Sequence, residues 1–295
     1  MKRALLVLIL ILAGLNPAKA DVPASIAIID TGFNAALYPN NVVAEACFVE
    51  YFTCPNGKTS MEGAGASAIP TLKSDSLNHG TQMASVVNSV NPTAKLVLIR
   101  IVGVTGGGLQ SIYTNKAVKM ALDWVSANRV KYNISVVSVS QGAIFANCGV
   151  PEGTAAVVAS LKSFNVPVIA ATGNNSNRTA INSIACLPDV VSVGATDNPD
   201  PGISGKPYDK NAKPYIARYS NGDSTVDFYL NGRWYVTNYN GTVKFMAGTS
   251  NATASLSAWW LLNRKDSFDS TYTWLVSSSI PASNDWLSGK YIALP

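Results

Sequence analysis

Four side chains suited to proton transfer and carbonyl attack stand far apart in this chain: Asp30, His79, Asn174 and Ser250. His79 is the only histidine in 295 residues. Imidazole, with an ordinary pKa of about 6.5, is the side chain most often used as a general base at neutral pH. Asp30 ends the apolar run "SIAIID", where a carboxylate costs free energy unless something pairs with it. Ser250 lies in "FMAGTSNATAS" at the start of a helix-like segment. A hydroxyl there can attack a carbonyl while backbone N–H groups hold the oxyanion, provided a neighbouring base removes its proton. Asn174, in "TGNN", carries an amide that could donate to the same oxyanion. Each also has an ordinary explanation: Asp30 as a turn cap, His79 as a packed structural residue, Ser250 as a helix N-cap, Asn174 as a turn residue. As a set they are the parts of a nucleophilic acyl transfer.

Such a set needs a scaffold that brings distant positions together. The runs "SIAIID", "AKLVLIRIV", "ISVVSVS", "VPVIAAT" and "VVSVGAT" are short and apolar without alternation, which predicts parallel strands buried on both faces. Helix-like segments lie between them at Thr81–Val90, Ile112–Asn128 and Gly153–Phe164. The alternation predicts an α/β fold: a three-layer sandwich with a central, mostly parallel sheet. In open sheets of this kind ligands bind at the carboxyl ends of the strands, where Asp30 falls. From residue 198 to 245 the composition turns to Asn, Gly, Tyr and Pro, and "VDFYLNGRWYVTNYNGTVKFMAG" predicts antiparallel hairpins with Asn-Gly turns. The last helix, in "SNATASLSAWWLLNR", has no polar face over Leu256 to Leu262 and should be buried centrally.

Residues 1–20, "MKRALLVLILILAGLNPAKA", combine a basic start, twelve apolar residues and an A-x-A end. That is the pattern of a secretory signal peptide cleaved after Ala20, and it is too short for a membrane span of about 20 residues. The mature chain, 21–295, is expected as one domain that is secreted or periplasmic, with no membrane association after cleavage. It carries 19 basic against 17 acidic residues with no basic run, which argues against nucleic acid and anionic membranes as partners. Outside the cytoplasm, Cys47, Cys54, Cys148 and Cys186 suggest two disulfides, for which three connectivities exist. The short loop between Cys47 and Cys54 favours pairing those two, leaving Cys148 with Cys186. A zinc site would need paired Cys-x-x-Cys spacing that is missing.

The chain order Asp30, His79, Ser250 is the order of the subtilisin triad, unlike those of two unrelated folds. The words around these residues match as well: "DTG" at 30–32, "HGT" at 79–81 and "GTSNA" at 248–252 resemble the signature segments of the subtilisin-like serine proteases. "RIVGVTGGGLQSIYTNKAVKMALDWVSAN", "VVSVSQGA", "VIAATGN", "VVSVGAT" and "GKYIAL" follow in that family's order. The resemblance spans nearly all of 24–295. It implies a secreted serine endopeptidase acting on polypeptide substrates, with Ser250 as nucleophile, His79 as general base, Asp30 as its orienting carboxylate and Asn174 in the oxyanion hole. It places substrate backbone along Gly106, Gly107 and Gly108 and along Ser140, Gln141 and Gly142, and a side-chain pocket against Ser140–Ala143 and Ala171–Gly173. That pocket contains no acid, which argues against basic substrate side chains unless Glu152 enters from its loop. No cofactor is required for the chemistry; structural calcium is frequent in the family, but no segment specifies a site.

Departures from the family pattern are Gln82 for a second His, Ser85 for Gly, and Asn251 and Ala254 where Met and Pro are common. Only nine residues separate the expected cleavage point from Asp30, so no pro-segment is expected. The chain would then fold unaided or with a separate folding partner or inhibitor. Two rivals follow: a catalytically silent, protease-like binding protein, and another serine hydrolase or transpeptidase using the same acyl-enzyme. Phosphate-loop readings fail because "GVTGGG" lacks a following Gly-Lys-Ser/Thr and "NGKTS" lacks the earlier Gly. An α/β-hydrolase elbow would need G-x-S-x-G around the serine.

Overall fold

The computed structural model describes residues 23–69, 75–104, 111–197 and 214–294; the 1–20 leader and Gly106, Gly107 and Gly108 lie outside the described residues. The chain begins with β1 (Ser25–Asp30), β2 (Val42–Phe48), β3 (Ser60–Glu62), α1 (His79–Val90), β4 (Lys95–Arg100), β5 (Gly103–Val104) and β6 (Ser111–Ile112). Then come α2 (Asn115–Asn128), β7 (Ile134–Val139), α3 (Thr154–Ser163), β8 (Val168–Ala171), β9 (Val190–Thr196) and β10 (Phe228–Asn231). The remainder is β11 (Arg233–Thr237), β12 (Val243–Ala247), α4 (Thr249–Asn263), α5 (Phe268–Ser278), β13 (Ile280–Ser283) and β14 (Ser288–Tyr291).

All five apolar runs fold as strands of one sheet, whose order is β13-β14-β10-β9-β8-β7-β1-β4-β2-β3. Every pairing from β2 across to β14 is parallel, and the edge strands β3 and β13 pair antiparallel. The reason the runs carry no alternation is visible in β1. Ile26 and Ile28 enter one core with Met83, Val86 and Val87 of α1 and Leu256 and Trp260 of α4. Ala27 and Ile29 enter the opposite core with Val118 and Leu122 of α2 and Val158 and Leu161 of α3. Helices therefore cover both faces, and each buried aliphatic side chain contributes about 1.5–3 kcal/mol. The chain leaves β1 toward β2 and β4, then crosses to β7 and beyond on the other side. That reversal opens a crevice at the carboxyl ends of β1 and β7.

Three expectations need correction. Residues 226–247 do not form consecutive hairpins: β10 joins the parallel sheet beside β9, and only β11 and β12 pair antiparallel. The apolar residues of β10 are buried on both faces, so the sheet, not the Asn-Gly dipeptide that follows, decides its partner. The helix expected from Ile112 begins at Asn115, because Ser111–Ile112 pairs with Gly103–Val104 and Thr114 caps the helix, accepting from Ala117 N–H at 3.1 Å. α4 is buried from Thr249 to Ala258 and at Trp260, but its last turn surfaces, and Leu262, expected within the buried stretch, is 49% exposed.

Both disulfides form, Cys47–Cys54 and Cys148–Cys186. Among the described residues no helix is long and apolar enough to cross a membrane.

Candidate active site

Asp30 closes β1, and His79 opens α1; the two short motifs around them are what brings these elements together. A Cβ on Gly80 would lie 2.4 Å from the Gly32 carbonyl oxygen, so only glycine lets α1 start this close to the turn after β1. Thr31 ties the junction from the strand side. Its hydroxyl donates to the Leu77 carbonyl at 3.2 Å and accepts from Gly80 N–H at 3.0 Å. The result is that His79 Nδ1 sits 2.7 Å from Asp30 Oδ1. Asp30 is fully buried, while the His79 side chain is 20% exposed and faces a cleft. Burial of the ring opposes its charge, but the Asp30 carboxylate, through charge and hydrogen bond, outweighs this and raises the imidazole pKa above its usual 6.5; Lys244 opposes the rise.

Ser250 is the second residue of α4 and lines the same cleft, of about 590 Å³. It is not the helix N-cap: Gly248 holds that position and no side chain caps the helix. Of the first N–H groups of α4, that of Thr249 donates to Asn174, and no N-cap side chain competes for the rest.

Asn174 follows Gly173, whose φ of +100° suits glycine and whose absent Cβ makes room for the buried Asn221 amide. The Asn174 carbonyl oxygen accepts from Thr249 N–H at 2.9 Å and from the Thr249 hydroxyl at 3.0 Å. That fixes which end of the amide is occupied and leaves its NH₂ group available to the cleft. Asn221 braces the same loop, accepting from Asn175 N–H at 2.8 Å and Asn177 N–H at 3.0 Å. Neither Thr249 nor Asn221 is singled out by the sequence, since both act by buried hydrogen bonds between segments distant in the chain.

Of the residues expected to face substrate, Ser140, Gln141, Gly142 and Gly173 line the cleft. Ala171 is not among the lining residues; it is buried within β8, opposite Val193 of β9. The Gly142 carbonyl already accepts from the Tyr113 hydroxyl at 2.6 Å, and Gln141 turns its amide toward Asp30. The cleft has further lining that sequence reading missed: Gln82, Tyr113, Asn182, Lys244 and Met246. Asn182 packs where Cβ atoms on Gly142 and Gly173 would fall. Its Oδ1 and the Ser140 hydroxyl are buried without partners among the described residues.

Three of the departures from the family pattern have one common use. Gln82 Nε2 donates to Asn238 Oδ1 at 2.8 Å, Ser85 Oγ accepts from Thr237 N–H at 3.0 Å, and Asn251 Nδ2 donates to the Gly232 and Met246 carbonyls at 2.9 and 3.1 Å. All three clip the β11–β12 ribbon onto α1 and α4, the helices that carry His79 and Ser250. Ala254 is simply buried in the core between them.

A family model described as "Subtilase family" matches residues 23–274. Among curated proteins, the chain is 27% identical over 208 residues to an extracellular serine proteinase of Thermus sp. (strain Rt41A), covering 66% of this chain and 43% of that protein. It is 25% identical over 207 residues to a cuticle-degrading serine protease of Arthrobotrys oligospora, covering 67% and 44% respectively. The chain thus spans less than half the length of these relatives. Among solved structures, it resembles a cold-adapted subtilisin-like serine proteinase, with a TM-score of 0.64 and 20% identity over 92% of this chain and 89% of that one. It likewise resembles sphericase, with a TM-score of 0.65 and 18% identity over 90% and 89%. At these identities the structural likeness speaks to the fold.

Proposed function

This chain belongs to the subtilase family, and from that premise we propose that it is an exported serine endopeptidase working through Asp30, His79 and Ser250. The observation that carries the reading is the 2.7 Å bond from His79 Nδ1 to the buried Asp30 carboxylate, with His79 and Ser250 lining one cleft. The bond puts the proton on Nδ1 and leaves Nε2 as the basic nitrogen. Nε2 takes the Ser250 proton as the hydroxyl attacks the scissile carbonyl, and later delivers it to the leaving amine. Asp30 holds the ring's tautomer and stabilises the imidazolium. The tetrahedral oxyanion is held by the Asn174 NH₂ group and the Ser250 backbone N–H.

Substrate is a polypeptide whose backbone pairs with Ser140 and Gly142 as an added strand, and the reaction needs no cofactor. Export is supported by the leader pattern of residues 1–20 and by the extracellular relative. The test is fluorophosphonate labelling of purified protein with mass mapping of the adduct. A stoichiometric adduct on Ser250, lost in His79→Ala, is the expected result. A folded, disulfide-bonded sample that takes no label overturns the reading.

A further inference from the structure

Gln141 follows β7 on the segment expected to face substrate, yet its side chain points at the carboxylate–imidazole pair. Its Nε2 lies 3.0 Å from Asp30 Oδ1 and 3.2 Å from His79 Nδ1. Nδ1 carries the hydrogen that binds Oδ1, so the contact between the two nitrogens joins two donors that share one acceptor. A third donor, the Thr31 N–H, reaches the same oxygen at 2.7 Å. The opposite amide orientation would set the Gln141 oxygen against a carboxylate oxygen, with no hydrogen between them.

We propose that Gln141 is a positioning residue for the Asp30–His79 pair, fixing the carboxylate and weakening its pull on the protonated imidazole. The proposal rests on the serine-protease reading of the site. Two effects act with the same sign. An oxygen shared among three donors binds each less strongly than it would bind one. The positive end of the amide dipole, 3.2 Å from Nδ1, also disfavours the imidazolium directly. His79 is therefore in its neutral, proton-accepting form at lower pH than Asp30 alone would permit.

Among the described residues, the charged groups acting on His79 are Asp30 from β1 and Lys244 from β12, and the Tyr113 phenol lines the same cleft. α1 contributes no other ionisable side chain, and Ser140 to Gly142 are uncharged. Gln141 is also flanked by Ser140 and Gly142, which line the cleft. A substrate strand paired there would hold Gln141 in place, linking occupancy of the cleft to alignment of the pair.

One feature of composition makes the test direct. His79 is the sole histidine, so in an untagged mature protein one set of imidazole NMR resonances reports its titration without any assay of activity. Gln141→Met keeps the side chain's length and removes the donor; Gln141→Glu puts an anion in its place. The His79 midpoint should move to higher pH in Gln141→Met and further in Gln141→Glu. In parallel, kcat/KM at about pH 6 should fall by roughly three- to tenfold, with a smaller loss on the alkaline plateau. An unchanged His79 midpoint in folded Gln141→Met overturns the proposal. A His79 midpoint that shifts in the Gln141 variants, together with wild-type protein whose Ser250 takes no fluorophosphonate, overturns the protease reading instead. The two failures are thus distinguishable.

Discussion

Thr249→Val would remove a single hydroxyl from the first turn of α4, and the hydrogen bonds of that hydroxyl set the size of the effect. It donates to Asn174 Oδ1 at 3.0 Å and accepts from Gly173 N–H at 3.2 Å, and Thr249 is fully buried. Valine fills nearly the same volume, so no cavity term arises. Gly173 N–H loses its partner, at a cost of about 1–3 kcal/mol, which should appear as a lower denaturation midpoint in urea. Asn174 keeps the Thr249 N–H bond at 2.9 Å, so its amide is loosened rather than released. Losing one of two restraints should cost about 1 kcal/mol in the transition state, roughly fivefold in kcat. Asn174→Ala removes the donor itself and should lower kcat by about 10²–10³. In that background Thr249→Val has nothing left to position, and kcat should change by less than about twofold. The assay is steady-state hydrolysis of a peptide anilide by the four proteins of the cycle, each with its urea midpoint. A full fivefold loss repeated in the Asn174→Ala background would refute the idea that Thr249 works through Asn174. A loss of only a few fold in Asn174→Ala itself would refute the oxyanion role.

Further expectations concern stability, charge and close approach. The Cys148–Cys186 bridge spans 38 residues and the Cys47–Cys54 bridge 7; by loop entropy their removal through paired Cys→Ser changes should cost about 4 and about 2 kcal/mol respectively, measured by urea unfolding. A larger loss from the shorter bridge would contradict that ordering. Lys244→Met removes a positive charge that opposes the His79 imidazolium, so the imidazole pKa rises further and the acid limb of kcat/KM moves to higher pH. The displacement should shrink as salt is added; a movement to lower pH would exclude the assigned sign. Gly80→Ala forces a methyl against the Gly32 carbonyl oxygen at 2.4 Å, backbone that cannot turn aside. It should cost about 1–3 kcal/mol and reduce fluorophosphonate labelling of Ser250 as His79 is pushed from Asp30. Unaltered labelling with unaltered stability would show that the junction has slack.

Much of this protein was legible in its sequence because buried parallel strands announce themselves. "SIAIID" and "ISVVSVS" have no polar face because helices cover both sides of them, and Asp30 at the end of such a strand had to be paired. The sole histidine narrowed the choice of base to one residue, and "DTG" and "HGT" hold glycines whose missing side chains let strand and helix meet. Composition also set the disulfide loop at Cys47–Cys54 and the burial of most of α4. Tertiary structure decided the rest, since the partners concerned lie far apart in the chain. β10 reads as a hairpin arm in the sequence because its parallel pairing with β9 leaves no local mark. Thr249 and Asn221 act through bonds to a loop 44 to 76 residues away, a relation no periodicity carries. Gln141, placed by sequence on the substrate, is turned by the geometry of the β7 terminus onto a carboxylate 111 residues earlier. Residue type and local pattern determined which elements form and which side chains can do chemistry. Only the packed sheet, which sets the distances between strand ends, determined which of those side chains touch.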